Sequence, residues 1–271
     1  MMAIPKAGPN PLDDLSGFLK PYASLVRRSE SRHALERYTT GLLADLPRKT
    51  ASEMGRTVAE TSEQRLQEFL TNTAWKPDEM DRLRVKEMVE RASLGEGVQI
   101  VDDTGLPKKA ECSVGVARQY SGTLGRVDNC QVVVTTHYVD NAFDWPITAR
   151  LYLPEGWAKD RARRKVAKVP SSIRFRTKGE IALELIDLGL AWAVHTRAVV
   201  ADAGYGDQPS FPEGLKRRRL PHVVGVALST RFRLVEEVER DPGDGPAPIH
   251  RGKGRPRRAP RIEDRLPGHR R

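Results

Sequence analysis

Through the first 95 residues apolar side chains return at mixed three- and four-residue intervals, the period of amphipathic helices. Segments 12–26 and 34–46 carry the pattern. Thr61 followed three residues later by Gln64 has capping-box spacing ahead of Leu66, Phe69 and Leu70, which predicts a third helix. Pro77 suits the first turn of a fourth, in which Val85, Met88, Val89 and Ala92 share a face. Four such helices make a small bundle or part of one.

At "GEGVQI" the period changes. Val98, Ile100 and Val101 open a strand, "CQVVVTTHYV" (130–139) is rich in β-branched residues, and "FDWPITARLYLP" (143–154) reads as its hairpin neighbour across the short link "DNA". Pro146 has no N–H for a ladder, so it should mark an edge or a strand's entry. A basic, proline-bounded loop leads into "TKGEIALELIDLGLA", where Thr177 and Glu180 have capping-box spacing. Ile181, Leu185 and Leu188 share one face of this helix, and Gly189 stands near its stop. A strand follows at 198–201, then a helix through "FPEGLKRRRL" and a strand at "HVVGVAL".

This order predicts an α/β chain with a mixed sheet. The first and fourth strands should be parallel neighbours, because a helix carries the crossover between them. The expected division is a helical region at 1–95, the α/β region at 96–240, and a Pro/Arg-rich tail at 241–271 with too few apolar side chains to bury a core.

Two of the predicted strands end in carboxylates. "VQIVDDTG" runs into Asp102 and Asp103, and "VVADAGYG" runs into Asp202. Parallel neighbours end at the same edge of a sheet, so the two sets should converge. Convergent hard oxygens hold Mg²⁺, and a pair of such ions roughly 4 Å apart activates an attacking hydroxyl while stabilising the leaving oxygen of a phosphodiester. The glycines after Asp202 read as room for a nucleic-acid backbone. The plainer alternative is a turn-forming or helix-capping aspartate.

Charge supports the same chemistry. Lys and Arg number 46 against 36 Asp and Glu, a net +10, which favours a polyanionic partner and nucleic acid first among them. Expected phosphate contacts are Lys108 and Lys109, the basic loop 159–168 with Arg163 and Arg164, and the run Lys216, Arg217, Arg218 and Arg219. No stretch approaches the ~20 apolar residues of a spanning helix. The opening "MMAIPKAGPN" lacks a signal-peptide pattern, so a cytoplasmic, nucleoid-associated protein is expected. Cys112 and Cys130 lack the spacing of a zinc or redox motif and read as buried free thiols. "GTLGR" lacks the end of a Walker loop and reads as a tight turn. Trp145, Trp157 and Trp192 read as packing residues.

"VDDTGLPKKAECSVGVARQYSGTLGRVDNCQVVV", "RLYLPEGW" and "VVADAGYGD", with "YTTGLLADLPRKT" and "LQEFLTNTAW" nearer the start, closely resemble bacterial insertion-sequence transposases of the DDE endonuclease superfamily. The likeness covers roughly residues 12–235. It implies an RNase H-like catalytic domain in which Asp102 is the first metal-binding carboxylate, since a D-x-T pattern fits Asp102 and Thr104, with Asp103 its close rival. Asp202 would be the second. The resemblance further implies Mg²⁺, with Mn²⁺ able to substitute, and DNA as partner: transposon terminal repeats and target. It also implies a dimer in the DNA complex and an amino-terminal region that binds the repeats or a second subunit.

Two departures accompany the likeness. Ala110 stands where relatives often carry glycine, and the family's third acidic residue, a glutamate on a later helix, has no counterpart. Glu236, Glu237 and Glu239 stand too close to the preceding strand, and Glu263 lies in the tail. The chain therefore reads as stopping before that helix. The rival to an active transposase is a truncated remnant that binds DNA without cutting it.

Overall fold

Met54, Leu66, Phe69, Val85 and Met88 are each at most 4% exposed, and all but Met54 stand at positions that the helical period marks. The structure is a computed structural model describing residues 11–91, 97–110 and 112–230. It falls into two units, Met1–Arg91 and Ala92–Arg271. In the first, α1 (Pro11–Leu19) passes through a 3₁₀ turn to α2 (Ser29–Leu43), α3 (Ala51–Thr57), α4 (Glu63–Asn72) and α5 (Pro77–Arg91). The expected four helices are therefore five. Helix α3 has only seven residues, too few to show a period, but Thr50 caps it by accepting the Glu53 N–H at 3.2 Å. Ser62, not Thr61, caps α4, accepting the Arg65 N–H at 3.3 Å. Pro77 opens α5 as its fixed φ favours. Phe69 meets the edge of Trp75 at 4.8 Å between ring centroids.

The second unit contains β1 (Val98–Pro107), β2 (Ala117–Ser121), β3 (Arg126–Val139), β4 (Asp144–Leu151), α6 (Glu155–Lys159), α7 (Arg161–Val166) and α8 (Lys178–Ala191). These are followed by β5 (Ala198–Ala201), α9 (Ala203–Gly206), α10 (Ser210–Arg217) and β6 (His222–Val224). The sheet order is β2-β3-β1-β5-β6, with β4 also on β3. Strand β3, at 14 residues, is long enough to pair β2 near its start and β4 along its second half, both antiparallel. It runs antiparallel to β1, while β5 is parallel to β1 and β6 parallel to β5. Three antiparallel strands, a helix and two parallel strands are the RNase H-like arrangement that the resemblance implies. The first and fourth predicted strands are parallel neighbours, as the crossover required.

Alternation explains the core. On β3, Cys130, Val132, Val134, Thr136 and Tyr138 are all buried, while the residues between them are less so. Val101, Val134, Val199 and Ala201 pack on the same side as Leu185 and Ile186 of α8 and Phe211 and Leu215 of α10. The capping box of α8 is complete: Thr177 accepts the Glu180 N–H, and the Glu180 carboxylate accepts the Thr177 N–H at 2.7 Å. Asp140 closes the β3–β4 hairpin by accepting the Ala142 and Phe143 N–H groups, each at 2.7 Å. Pro146 lies on the edge strand β4 beside a register shift at Thr136/His137.

Three expectations need correcting. Strand β2 went unseen because "ARQYS" has almost no apolar signal. Cys112 is exposed, and only Cys130 is buried. The basic loop is partly helical, through α6 and α7. "GTLGR" is the tight turn expected, a 3₁₀ turn with Gly125 at φ 63°. Trp157 is 1% exposed, its indole N–H donating to the Val116 carbonyl at 2.8 Å. The tail from Asp241 and the glutamates 236, 237, 239 and 263 lie outside the described residues.

Candidate functional site

Val101 of β1 is paired with Ala201, the last residue of β5, so Asp202 leaves β5 at the level of Asp102. Strand β1 itself runs on to Pro107, with Asp102 opposite Thr135 and Asp103 opposite Val134, so the expectation that the first strand ends at these carboxylates is corrected. In-register neighbours on parallel strands point to the same face. Asp202 keeps an extended backbone at φ −78° and ψ −177°, and both aspartates are exposed. Of the two plainer readings of Asp202, the turn is present, its carbonyl accepting the Tyr205 N–H at 3.2 Å and the Gly206 N–H at 3.0 Å, and the side-chain cap is not. Asp202 stands at the N-cap of α9, yet its side chain makes no capping hydrogen bond.

Asp103 alternates to the other face, where Val101 packs against α8. There its Oδ2 meets the Lys178 ammonium at 2.8 Å. Asp102 Oδ1 accepts only a local bond, from the Asp103 N–H at 2.7 Å, and the Thr135 hydroxyl donates to the Asp102 carbonyl at 3.3 Å. Tyr205, one turn beyond Asp202, is 1% exposed and its hydroxyl has no hydrogen-bond partner. Burial pushes that hydroxyl far above the usual phenol range, and the charges of Asp103, Asp102 and Asp202 push it further. One buried hydroxyl thus feels all three carboxylates.

The glycines of "DAGYGD" have a packing role within the chain itself, which the expectation did not include. A Cβ on Gly206 would lie 1.8 Å from the Gly225 carbonyl oxygen, and one on Gly204 would lie 3.1 Å from Asp202 Oδ1. Gly225 in turn donates its N–H to the Ala201 carbonyl at 2.9 Å. Asp207, which the residue pattern did not single out, accepts the Ala227 N–H at 3.0 Å and the Thr230 hydroxyl at 3.2 Å. The segment leaving β6 is stapled in this way against the turn that carries Asp202. Lys178 was also missed. Its only sequence signal is its place as the first residue of α8, straight after the cap.

The expected phosphate contacts divide into two groups. Lys108, Lys109 and Arg217 are exposed, and Lys216 stands 3.7 Å from Glu213 in an exposed pair. Arg161, Lys165, Lys168 and Arg219 are exposed as well, whereas Arg163, Arg164 and Arg218 are engaged within the fold. The Arg163 guanidinium lies 3.7 Å over the Trp157 ring. Arg164 donates to the carbonyls of Ala158, Pro170 and Ile173. Arg218 grips both oxygens of Asp187 at 2.6 Å, a hydrogen-bonded pairing that raises its pKa.

The donor set fits a hard divalent cation in part. Asp102 and Asp202 offer carboxylate oxygens at one level of the sheet, and water or phosphate oxygens can complete such a shell. Among the described residues, no group of three or more His, Cys, Asp or Glu is placed to hold a metal ion. None of the described helices is long and apolar enough to cross a membrane.

The chain is similar to a probable transposase for insertion sequence element IS701 from Microchaete diplosiphon, at 29% identity over 206 residues. That match takes in 76% of this chain and 51% of the relative, so the chain spans about half the length of the curated relative it matches. Among solved structures, the Mos1 strand transfer complex and the Mos1 transposase paired-end complex with the left transposon end are each 13% identical. They cover 89% of this chain and 70% and 71% of their own chains, at TM-scores of 0.25 and 0.26, too low to carry a shared geometry. The sequence model of the DDE superfamily endonuclease family matches residues 21–269. With most of its length matched, the chain belongs to the DDE superfamily of endonucleases.

Proposed function

We propose that this chain is the catalytic part of an insertion-sequence transposase, which cuts DNA at the terminal repeats of its element and joins the freed 3′ ends to target DNA. The observation that carries the reading is the register Val101↔Ala201, which delivers Asp102 and Asp202 to one level of the sheet. The transposase relative, similar over 76% of this chain, supports the substrate class.

In this reading Asp102 and Asp202 hold Mg²⁺, or Mn²⁺ in its place. When bound, the cation would polarise the scissile phosphate and favour deprotonation of the attacking water or 3′-hydroxyl. The rest is done by the chain itself. Strand pairing holds the backbone of Asp102 and of Ala201, the residue before Asp202, before substrate arrives, so little is lost in ordering them. Asp103, the rival of Asp102 for the first position, is held on the other face by Lys178. Exposed Lys108, Lys109, Lys216 and Arg217 track the phosphate backbone, a sequence-independent contact that weakens with salt. The helical region 1–95 binds the terminal repeats or a second copy in a dimeric DNA complex, residues 96–240 form the catalytic core, and the tail 241–271 adds positive charge.

The test is strand cleavage of a supercoiled plasmid bearing candidate terminal repeats, in Mg²⁺ or Mn²⁺. The wild-type chain should nick it, and Asp202→Ala should lower the rate by roughly 10³-fold or more. Salt-sensitive DNA binding with no cleavage by the wild-type chain would overturn this reading in favour of a binding-only remnant.

A further inference from the structure

Strand β1 runs past Asp102 to Pro107, and the Lys108 N–H, donated to the Asn129 carbonyl at 2.9 Å, carries its pairing with β3 one residue further. Alternation therefore extends the face that bears Asp102. On it Thr104 lies opposite Val133, Leu106 opposite Gln131 and Lys108 opposite Asn129. Across β3 the same face continues onto β2, where Arg118 pairs with Asn129 and Tyr120 with Val127.

Outward from Asp102, this face presents Leu106, then the cations Lys108 and Arg118 in one row, then Tyr120 beside Val127. Leu106, Tyr120 and Val127 are 42%, 60% and 53% exposed, and Lys108 and Arg118 are exposed as well. At the ~3.3 Å rise of a strand residue, Leu106 stands roughly 13 Å along the face from Asp102 and Tyr120 about twice as far. Asp128, the hairpin's acid, falls by alternation on the other face, where Arg126 engages it at 2.8 Å. The hairpin is also held against β1. The Thr123 hydroxyl donates to the Gly105 carbonyl at 3.0 Å, and Gly105 packs so closely on Ser121 that a Cβ would lie 2.9 Å from the Ser121 Cα.

Exposed apolar side chains interleaved with cations suit an unpaired nucleic-acid strand: the cations meet phosphates, and an aromatic ring offers a base a stacking platform. A paired duplex keeps its base faces inside and gives the ring nothing to stack on. We propose that the face from Thr104 to Tyr120 is a track for a single DNA strand leaving the metal site, with Lys108 and Arg118 on its phosphates and Tyr120 stacked on one of its bases. The inference rests on the reading of Asp102 and Asp202 as the place where DNA is cut. Cutting frees a strand end, whose bases can then part from their partners.

The test is fluorescence anisotropy of the full chain, without divalent cations so that cleavage does not intervene, on two mixed-sequence DNAs: a blunt duplex and the same duplex with a single-stranded extension. Wild type should bind the extended DNA about 10-fold more tightly, an ordinary size for one stacked base. Tyr120→Ala should lose that preference while binding the blunt duplex as before, and Tyr120→Trp should keep it. Arg118→Ala should weaken binding of the extended DNA and lower the slope of log affinity against log salt by about 0.7. Should Tyr120→Ala fail to fold, Tyr120→Thr removes the ring with a residue that favours strands, and the same loss is expected. A preference that survives in a folded variant without the ring, or no preference in wild type, overturns the track and leaves DNA binding standing. Unchanged DNA binding by Tyr120→Ala with altered sedimentation assigns the surface to a second copy and overturns the track as well. If wild type binds neither DNA, the DNA reading fails and the inference fails with it.

Discussion

The helical unit and the sheet unit both carry local and long-range ion pairs, and differ in where the long-range ones stand: in the first, Arg37 of α2 meets Glu60 beyond α3 at 2.8 Å, 23 residues away. On α5 the pairs are local: Arg84–Asp81, Lys86–Glu90 and Arg91–Glu87 join residues three or four apart. The sheet unit has such pairs as well, Lys159–Glu155 among them, but two others tie distant elements together. Lys178 of α8 reaches Asp103 of β1, and Arg218 after α10 reaches Asp187 of α8 across 31 residues. Local pairs on an exposed helix each contribute a few tenths of a kcal/mol and can be replaced without consequence. Long-range pairs report on how elements are brought together. In the sheet unit one of the second kind, Lys178–Asp103, holds the neighbour of Asp102.

Three substitutions and one control would break or sharpen that contrast. The largest effect is expected at Gly206, where any Cβ collides with the backbone at Gly225, and neither side of that contact is a flexible side chain. Gly206→Ala should lower stability by about 3 kcal/mol, read as a fall in the urea midpoint, and should also weaken Mn²⁺ binding because the turn carrying Asp202 must shift. Gly122→Ala is the control: nothing lies within 4 Å of that Cβ, so a change of under about 1 kcal/mol is expected. Equal effects at the two glycines would show that the stapling at Gly225 is unimportant.

Next comes Thr177→Ala, which removes the cap of α8 and should cost about 1 kcal/mol. It should loosen the backbone under Lys178, so amide hydrogen exchange at the start of α8 should speed up. The smallest effect belongs to the helical unit. Lys86 and Glu90 are 71% and 57% exposed, and Lys86→Ala should change stability by no more than about 0.5 kcal/mol. A larger loss there would erase the distinction between local and long-range pairs.

Much of this architecture is legible in the sequence, for reasons that differ by element. Strand β5 was readable to the residue because "AVVA" is a short apolar run closed by Asp202, and α8 because its capping box and apolar face agree. The parallel pairing of β1 with β5 followed from the helical crossover alone. Helix α3 and strand β2 were missed because seven and five residues are too few to set up a period. Within the site, Asp102 and Asp202 were visible as carboxylates following apolar runs, although β1 continues past Asp102 to Pro107. Lys178 and Asp207 were not, because their partners are set by tertiary register, which no local pattern encodes. The same limit explains Arg164 and Arg218: a run of cations looks alike whether it faces solvent or clamps the fold.

The central claim is that Asp102 and Asp202 form one cation site by virtue of their shared register. The most direct test is equilibrium Mn²⁺ binding by wild type, Asp102→Asn, Asp202→Asn and the double variant, each checked for a native circular dichroism spectrum. A shared site predicts that either single change removes most of the binding and that the double variant is little worse than the singles, a strongly non-additive result. Wild-type affinity in either single variant, or two losses that simply add, would contradict it.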